Sequence, residues 1–259
     1  MRVGASSACF FPLETEKALD EVLRLGFKTA EVFFNTSSEL EEPFVRELRK
    51  NVDDHDAKIL SVHPFSSSLE SNCIFAEYSR RFDDFIGLYQ KHFHAAAMLG
   101  ADIVVIHGSV AKQKRDLSDE FYFDRFQKLV DLGKREGVRV CQENVVRFRS
   151  QDVEFLKRMR TALGDDFNMV FDIKQAVRSG YDPFYVLDEF KNDIVHIHLS
   201  DNSPEADCMP PGRGCFDFKR LFDSMRQSNY NGGYVIEIYS KGYNVAEELK
   251  LSKNYLENL

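Results

Sequence analysis

Acidic and histidine side chains stand at the ends of six short apolar runs in this 259-residue chain. In chain order they are His63, His107, Glu143, Asp172, His198 and Glu237. His196 lies two positions before His198 in I-V-H-I-H-L-S, and alternate strand residues share a face, so both imidazoles face one region. Three carboxylates that converge with three imidazoles would repel one another and lose hydration unless a cation neutralised them. A divalent metal site is therefore predicted.

The types of donor atom narrow the choice of metal. Carboxylate oxygens and imidazole nitrogens suit Mn²⁺, Mg²⁺, Co²⁺ or Zn²⁺. The five cysteines are odd in number, scattered, and never spaced as C-x-x-C, which argues against a disulfide framework and against a thiolate zinc site. They are Cys9, Cys73, Cys141, Cys208 and Cys215. The expected compartment is the reducing cytoplasm.

The elements that must position these side chains alternate along the chain. Runs rich in β-branched and apolar residues predict strands, and segments of period 3.6 between them predict helices. The predicted strands are Val3–Ser6, Thr29–Phe34, Lys58–His63, Ile103–His107, Arg139–Glu143, Asn168–Asp172, Ile194–Ser200 and Gly233–Ile238. The predicted helices are Glu14–Leu25, Glu42–His55, Ala76–Leu99, Asp119–Arg135, Val153–Leu163, Phe184–Phe190, Phe218–Arg226 and Val245–Leu256.

Eight strand-then-helix units with short connections predict a parallel sheet closed into one α/β (β/α)8 TIM barrel, a single domain over residues 1–259. The alternative is an open doubly wound sheet. It is disfavoured because V-G-A-S-S-A-C-F-F after the first strand contains no G-x-G-x-x-G phosphate cradle. In a TIM barrel the active site lies at the C-terminal strand ends, which is where the six polar residues fall.

Composition argues against two classes of partner. The formal net charge is −8, and no cluster of lysine and arginine is present that could neutralise a nucleic-acid backbone. No apolar run approaches the roughly 18 residues needed to span a bilayer. The first residues also lack the apolar core, about 7–15 residues long, of an export signal. No nucleic acid and no membrane are expected, whereas a homo-oligomer is compatible with the sequence.

Other residues point to a pocket for a small polar molecule. Aromatic side chains that follow the first three strands could rim its mouth; they are Phe10, Phe11, Phe33, Phe34 and Phe65. In M-P-P-G-R-G-C-F-D-F, Arg213 stands between two glycines, where it either binds substrate hydroxyls or phosphate or belongs to a surface turn. His196 is interpreted as an interior residue that supports its neighbour by a hydrogen bond. Glu31 contacts either a ligand or a nearby loop, and the loop is favoured.

The six strand ends, together with the P-P-G-R-G-x-F-D-F loop and the Y-V-I-E-I strand, resemble the xylose isomerase-like TIM barrel superfamily over essentially the whole chain. That group contains sugar isomerases, ketose 3-epimerases, inosose-processing enzymes and the endonuclease IV type of abasic-site nuclease. The most specific part of the resemblance is the quartet Glu143, Asp172, His198 and Glu237. In epimerase-like members this quartet holds one divalent ion, often manganese, and the two glutamates serve as acid and base.

The nuclease branch is similar at further positions. The resemblance implies that His63 and His107 would hold a second ion, bridged by Glu143. A third ion in that branch requires a histidine where this chain has Gln175, and an Asp-x-His pair where it reads A-D-C-M. Abasic-site cleavage is therefore disfavoured. True xylose isomerases are also a poor match, because they have tryptophan-lined pockets and this chain has no tryptophan.

The resemblance implies a metal-dependent isomerase or epimerase acting on a sugar or polyol-derived hydroxy-carbonyl compound. Mn²⁺ is the expected ion, with Zn²⁺, Co²⁺ and Mg²⁺ as alternatives. Glu143 and Glu237 would transfer protons, and the expected substrate contacts are His63, His107, Arg213 and Phe10. The alternatives are a two-ion hydrolase or nuclease-like enzyme, an inosose dehydratase-like enzyme, and a non-catalytic sugar-binding barrel.

Overall fold

The computed structural model describes residues 3–112, 117–239 and 244–259. Its strands are β1 (Val3–Ser6), β2 (Thr29–Phe33), β3 (Lys58–His63), β4 (Ile103–Ile106), β5 (Arg139–Glu143), β6 (Met169–Asp172), β7 (Ile194–Leu199), β8 (Asp201–Ser203), β9 (Ala206–Met209) and β10 (Gly233–Ile236). All but β8 and β9 form a closed parallel barrel in the order β1-β10-β7-β6-β5-β4-β3-β2. The predicted (β/α)8 barrel is confirmed, and the assignment of residues 1–259 to one domain stays a prediction.

Helices connect the strands on the outside of the barrel. They are α1 (Thr15–Arg24), α2 (Glu42–Asp54), α3 (Glu70–Cys73), α4 (Ser79–Leu99), α5 (Asp119–Arg135), α6 (Val153–Leu163), α7 (Ile173–Arg178), α8 (Pro183–Phe190), α9 (Phe218–Gln227) and α10 (Val245–Glu257). On α4, a stripe that includes Phe82, Tyr89 and Phe93 is buried against the core. The helix ends at Gly100, whose φ of +70° suits a residue without Cβ.

Several strands are one or two residues shorter than predicted, so that His107 and Glu237 lie just beyond β4 and β10, and three larger features also differ from the sequence prediction. The helix predicted over Ala76–Leu99 begins at Ser79, and the short α3 precedes it. An antiparallel hairpin, β8 and β9, follows β7. A further short helix, α7, starts directly after β6. The four unpredicted elements, α3, α7, β8 and β9, are only three to six residues long. Segments this short show no recognisable hydrophobic periodicity in the sequence.

Glu143 and Asp172 share the inner faces of β5 and β6 with apolar residues that come earlier in each strand. Cys141 lies two residues before Glu143, and Val170 two residues before Asp172, so each pair shares a face of its strand. Both belong to a small buried cluster with Ile103 and Val105. On the side of β5 and β6, the residues beneath the polar site are therefore apolar.

A one-residue irregularity aligns β7 with its neighbour. Met169 pairs with Ile194, but Val170 pairs with His196 and Asp172 with His198. Strand β7 therefore contains one extra residue, Val195, opposite this step. The shift places His198 beside Asp172 at the same height in the barrel.

Two expectations about the chain as a whole can be compared with the structure. All five cysteines are free, which agrees with the prediction that no disulfide framework exists. Within residues 3–112, 117–239 and 244–259, no helix combines the length and the apolar character needed to cross a bilayer.

Candidate metal centre

Four neighbouring strands deliver one side chain each to the same point. Glu143 ends β5, Asp172 ends β6, His198 lies near the end of β7, and Glu237 follows β10. One donor atom from each of these residues lies within 4.8 Å of all the others. We call these four residues the tetrad. The structure thus brings together the quartet predicted from the sequence, at the C-terminal end of the barrel.

The backbone around Asp172 fixes its carboxylate in place. Its Oδ1 accepts a hydrogen bond of 3.0 Å from the Gln175 backbone N–H and so caps α7. The Asn144 side chain bonds the Asp172 backbone on both sides, accepting from its N–H at 2.8 Å and donating to its C=O at 3.0 Å. The other oxygen, Oδ2, faces His198 Nδ1 at 3.6 Å. One oxygen of Asp172 is therefore structural and the other faces the tetrad.

His198 is held from below by Glu31. Its Nε2 lies 3.0 Å from Glu31 Oε2, while its Nδ1 lies 3.3 Å from Glu143 Oε1 and 3.5 Å from Glu237 Oε2. A carboxylate behind the distal nitrogen orients a metal-binding histidine and raises its basicity. The favoured interpretation of Glu31 as a loop contact is wrong, because it contacts side chains inside the barrel.

His196 lies deeper than His198, as predicted. Its Nε2 lies 3.1 Å from Ser61 Oγ, and Ser61 donates to Glu31 Oε2 at 2.7 Å. His196 Nε2 also lies 3.5 Å from Glu31 Oε2, so it supports His198 indirectly, through Glu31 and Ser61. The rings of the two histidines are nearly perpendicular, with centroids 5.2 Å apart.

Glu143 also faces a second group of side chains. The Nε2 atoms of His63 and His107 lie 3.0 Å apart, and they are 3.8 Å and 2.9 Å, respectively, from Glu143 Oε2. We call these three residues the histidine group. The contact between His107 and Glu143 lacks hydrogen-bond geometry, so Glu143 Oε2 is a buried oxygen without a hydrogen-bond donor among the described residues. Both groups thus share Glu143, and the bridging of two ions by this residue stays a prediction.

Lys174 is the residue that the sequence interpretation missed. It is the second residue of α7, and its Nζ donates to Asp172 Oδ2 and to Glu237 Oε2. Only 1% of its side chain is exposed. The sequence signal was D-I-K directly after the sixth strand, but the position of Lys174 depends on the unpredicted helix α7.

The electrostatics of the tetrad follow from burial and from these neighbours. Burial acts to raise the pKa of Glu143, but the imidazoles of His107 and His198 outweigh it and hold the pKa well below its usual value. Burial opposes protonation of His198, yet Glu31 and Glu237 raise its pKa well above normal. Burial also acts to lower the pKa of Lys174, and the two carboxylates it contacts reverse this effect.

The remaining two carboxylates of the tetrad differ from each other. Burial raises the pKa of Asp172, and Lys174 and His198 offset this only in part. For Glu237, burial also acts to raise the pKa, but Lys174 and His198 prevail and lower it. Without a metal, protons on histidine and the Lys174 ammonium therefore neutralise the carboxylates.

Aromatic rings flank the histidine group. Phe33 lies beside His63 with ring centroids 5.0 Å apart, and Phe148 meets His107 edge-on at 5.5 Å. Phe148 was not predicted, because it lies in the loop after β5. Among the other predicted rim residues, Phe34 is fully buried in the core, whereas Phe11 is exposed.

Two predicted substrate contacts, Phe10 and Arg213, interact with residues outside the tetrad and the histidine group. Phe10 ends a short 3-10 helix, Ser7–Phe10, and packs half-buried against the main hydrophobic core. The Arg213 guanidinium forms a bidentate ion pair with Glu248 of α10, at 2.8 and 2.9 Å, and half of its side chain is exposed. Neither residue has a hydrogen bond or ring contact with the tetrad in the described ranges. Their roles in substrate binding stay predictions.

The P-P-G-R-G loop is built around Asp201. This buried carboxylate accepts 2.9 Å hydrogen bonds from the backbone N–H groups of Gly212, Gly214 and Phe216. A Cβ on Gly214 would lie 2.3 Å from Asn202 O, so a larger residue cannot fit without moving the backbone. The glycines of this motif are therefore explained by the structure of the loop itself, without invoking a role in substrate binding.

The tetrad fits a divalent cation. Three carboxylates and one imidazole match the oxygen and nitrogen donors that Mn²⁺, Zn²⁺, Co²⁺ and Mg²⁺ accept. The four donor atoms are close enough to contact one ion, and His198 has an outer carboxylate behind its second nitrogen. The Arg178 side chain is hydrogen-bonded to Asp207. Within the described ranges, Lys174 is the basic side chain whose hydrogen bonds go to the carboxylates of the tetrad.

The sequence matches a known protein family over most of its length. The chain belongs to the xylose isomerase-like TIM barrel family, which matches residues 19–258. A curated relative, inosose dehydratase of Clostridium beijerinckii, is 23% identical over 255 residues, which covers 86% of this chain and 81% of the relative.

Solved structures show the same architecture. The apo crystal structure of 3-keto-D-glucoside 4-epimerase from E. coli matches with a TM-score of 0.81 at 17% identity, covering 100% of both chains. The crystal structure of the IolI protein with a bound zinc atom matches with a TM-score of 0.78 at 15% identity, covering 99% of this chain and 96% of that one. At these identities the matches establish the fold.

Proposed function

We propose that this protein is a divalent-metal-dependent isomerase or epimerase acting on a sugar or a related hydroxy-carbonyl compound. The observation that carries the proposal is the convergence of Glu143 and Glu237 with Asp172 and His198. The two glutamates come from β5 and from the end of β10, which are separated by β6 and β7 in the barrel. They therefore approach a bound molecule from different directions.

The proposed chemistry is proton transfer next to a carbonyl group. A divalent cation held by the tetrad, Mn²⁺ by preference, would supply Lewis-acid stabilisation of the negative charge that develops on the substrate oxygens. One glutamate, Glu143 or Glu237, removes the proton from the carbon next to the carbonyl. The other delivers a proton, from the opposite face in an epimerisation. Asp172 and His198 position the site but do not move the substrate proton.

Burial supports this division of work. The side chains of Glu143 and Glu237 are 2% and 11% exposed, so water has limited access to their carboxylates. The lowered pKa of each favours its ionised state, in which a carboxylate accepts a proton, so either glutamate can act as the base. The one that delivers a proton must first take it up from solvent. His107, with 20% of its side chain exposed, lies toward the opening and is proposed with His63 to contact substrate.

The named relatives support a sugar-like substrate at the level of class. The relatives include a sugar epimerase and an inosose dehydratase. Dehydration of a hydroxy-carbonyl compound can begin with the same removal of a proton next to the carbonyl, and it ends with loss of water. A dehydratase is therefore the nearest alternative, and product analysis separates it from an isomerase.

Hydrogen exchange tests the proposal directly. The protein is incubated in D2O with Mn²⁺ and a panel of ketoses and inososes, and deuterium incorporation next to the carbonyl is measured by NMR. We expect exchange with at least one substrate, and a loss of about 100-fold or more in Glu143→Gln and Glu237→Gln. Glu154→Gln, on the exposed face of α6, is the matched control. No exchange with any substrate, or normal exchange in Glu143→Gln, would refute the assignment.

The histidine group favours one alternative function. His63, His107 and Glu143 also form a set of donors within 4.8 Å of one another, which supports a hydrolase with two ions. Metal analysis of the purified protein after reconstitution distinguishes the two proposals. One ion per chain supports the isomerase or epimerase, and two ions per chain support the hydrolase.

A further inference from the structure

Lys174 occupies an unusual position for a site that binds metal. Its ammonium group is buried and contacts Asp172 Oδ2 and Glu237 Oε2. Within the described ranges these two carboxylates are its hydrogen-bond acceptors. Because Asp172 also caps α7 through Oδ1, the start of this helix fixes Lys174 next to the carboxylate.

The oxygens that Lys174 contacts are the ones that face the tetrad. Asp172 Oδ2 and Glu237 Oε2 lie 3.6 and 3.5 Å from His198 Nδ1, the nitrogen directed toward the proposed ion. A metal held by the tetrad would therefore use oxygens that already accept hydrogen bonds from an ammonium group. Two cations that share the same oxygens in a buried site repel each other strongly.

We propose that Lys174 is a built-in competitor of the metal, which neutralises Asp172 and Glu237 in the metal-free protein and leaves them when the divalent ion binds. This inference rests on the proposed function, because it assumes that the tetrad is the metal site. The displaced ammonium has a nearby place to go. Lys174 Nζ lies 5.7 Å from the centre of the Tyr239 ring, which Arg178 also contacts at 5.4 Å, and Tyr239 is 46% exposed, so a movement past this ring brings the ammonium toward solvent.

Two consequences follow for the protein without metal. The tetrad keeps its geometry, because the ammonium relieves the repulsion between Asp172 and Glu237. Metal binding is weaker than the four donors alone would give, because each binding event must break two buried ionic hydrogen bonds. The lysine therefore sets the metal concentration at which the site fills.

The test compares Lys174→Met with the wild-type protein in two titrations. Binding of Co²⁺ is followed by visible absorption and binding of Mn²⁺ by calorimetry. We expect Lys174→Met to bind both ions at least about tenfold more tightly, because binding no longer has to break the two ionic hydrogen bonds of Lys174, and to melt at a lower temperature without metal. The matched control is Lys219→Met, which removes an exposed lysine paired with Asp223 on α9. This control should leave metal affinity unchanged.

A measurement on the wild-type protein covers the case in which Lys174→Met does not fold without metal. Lysines are acetylated with acetic anhydride with and without Mn²⁺, and the peptide that contains Lys174 is quantified by mass spectrometry. We expect labelling of Lys174 to become several-fold faster with Mn²⁺, while the exposed Lys219 stays unchanged. An unchanged rate for Lys174 would overturn the inference.

The outcomes separate this inference from the proposed function. If the wild-type protein and Lys174→Met bind one ion with equal affinity, or the variant binds it more weakly, competition by Lys174 is refuted and the metal site stands. If neither protein binds Mn²⁺ or Co²⁺, both proposals fail. If metal binds and Lys174→Met binds it more tightly, but no substrate exchanges deuterium, the competition holds and the proposed activity does not.

Discussion

The tetrad and the histidine group share Glu143 but differ in charge balance: carboxylates outnumber imidazoles in the tetrad, and imidazoles outnumber carboxylates in the histidine group. The tetrad has three carboxylates against one imidazole, and it borrows Lys174 as a counter-charge. The histidine group has two imidazoles against one carboxylate and needs no outside cation to balance its charge. This difference supports the proposal that the tetrad, rather than the histidine group, holds the divalent ion.

The layer beneath the two groups reinforces this contrast. Glu31 lies behind His198 and accepts a hydrogen bond from it, whereas His63 Nδ1 faces only the backbone oxygen of Pro64, at 3.3 Å. An outer carboxylate is typical of a histidine that holds a metal. A backbone carbonyl can also orient a metal-binding histidine, but Pro64 adds no negative charge behind the His63 ring, whereas Glu31 does so behind His198.

Asp172→Asn should produce the largest effect. The amide oxygen can still cap α7 through the Gln175 N–H, but the charge facing the metal is lost. We expect metal affinity to fall by more than the 10–100-fold that is typical of an outer partner, with helical content by circular dichroism unchanged. Asp182→Asn, at the matching cap of α8, is the control. Retained metal binding in Asp172→Asn would show that the tetrad is not the metal site.

Glu31→Gln should have an intermediate effect. The variant keeps an oxygen that can accept from His198 Nε2 but removes the negative charge behind the ring. Metal affinity measured by calorimetry should fall by about 10–100-fold. Ser61→Ala removes a neighbouring hydrogen bond to Glu31 and should have a smaller effect. Equal effects of the two changes would contradict the role given to the Glu31 charge.

His107→Gln should have the smallest effect on metal binding. This residue contacts the tetrad only through Glu143 Oε2 and supplies it no negative charge, so affinity at the tetrad should change by less than about threefold, below the range for an outer carboxylate. The expected loss is in substrate binding, measured as a higher KM in the exchange assay. His94→Gln, on the exposed surface of α4, controls for loss of a histidine. A loss of one of two bound ions would favour the two-ion hydrolase.

The barrel and the tetrad could be predicted from the sequence for one physical reason. Parallel strands of a closed barrel all end at the same mouth, so polar residues at the strand ends must converge there. The prediction needed only the approximate end of each strand. His107 and Glu237 lie just beyond strands that end at Ile106 and Ile236, and they still reach the site.

The contacts that depend on local geometry could not be predicted. Lys174 reaches the tetrad only because α7 starts at Asp172 and turns the lysine back toward it. Glu31 reaches His198 across the barrel interior, a contact between residues 167 positions apart. No periodic pattern in the sequence encodes either contact. For Arg213 the sequence motif was visible, but the structure explains it by the loop that Asp201 holds through hydrogen bonds from Gly212 and Gly214.

The central claim is that the tetrad holds a divalent ion, and anomalous diffraction from crystals soaked in Mn²⁺ tests it most directly. The account predicts one strong peak at coordination distance, roughly 2.0–2.3 Å, from oxygens of Glu143, Asp172 and Glu237 and from His198 Nδ1. It also predicts that Lys174 Nζ is no longer in contact with Asp172 and Glu237. A peak located elsewhere, or no peak at the tetrad at saturating Mn²⁺, would contradict the claim.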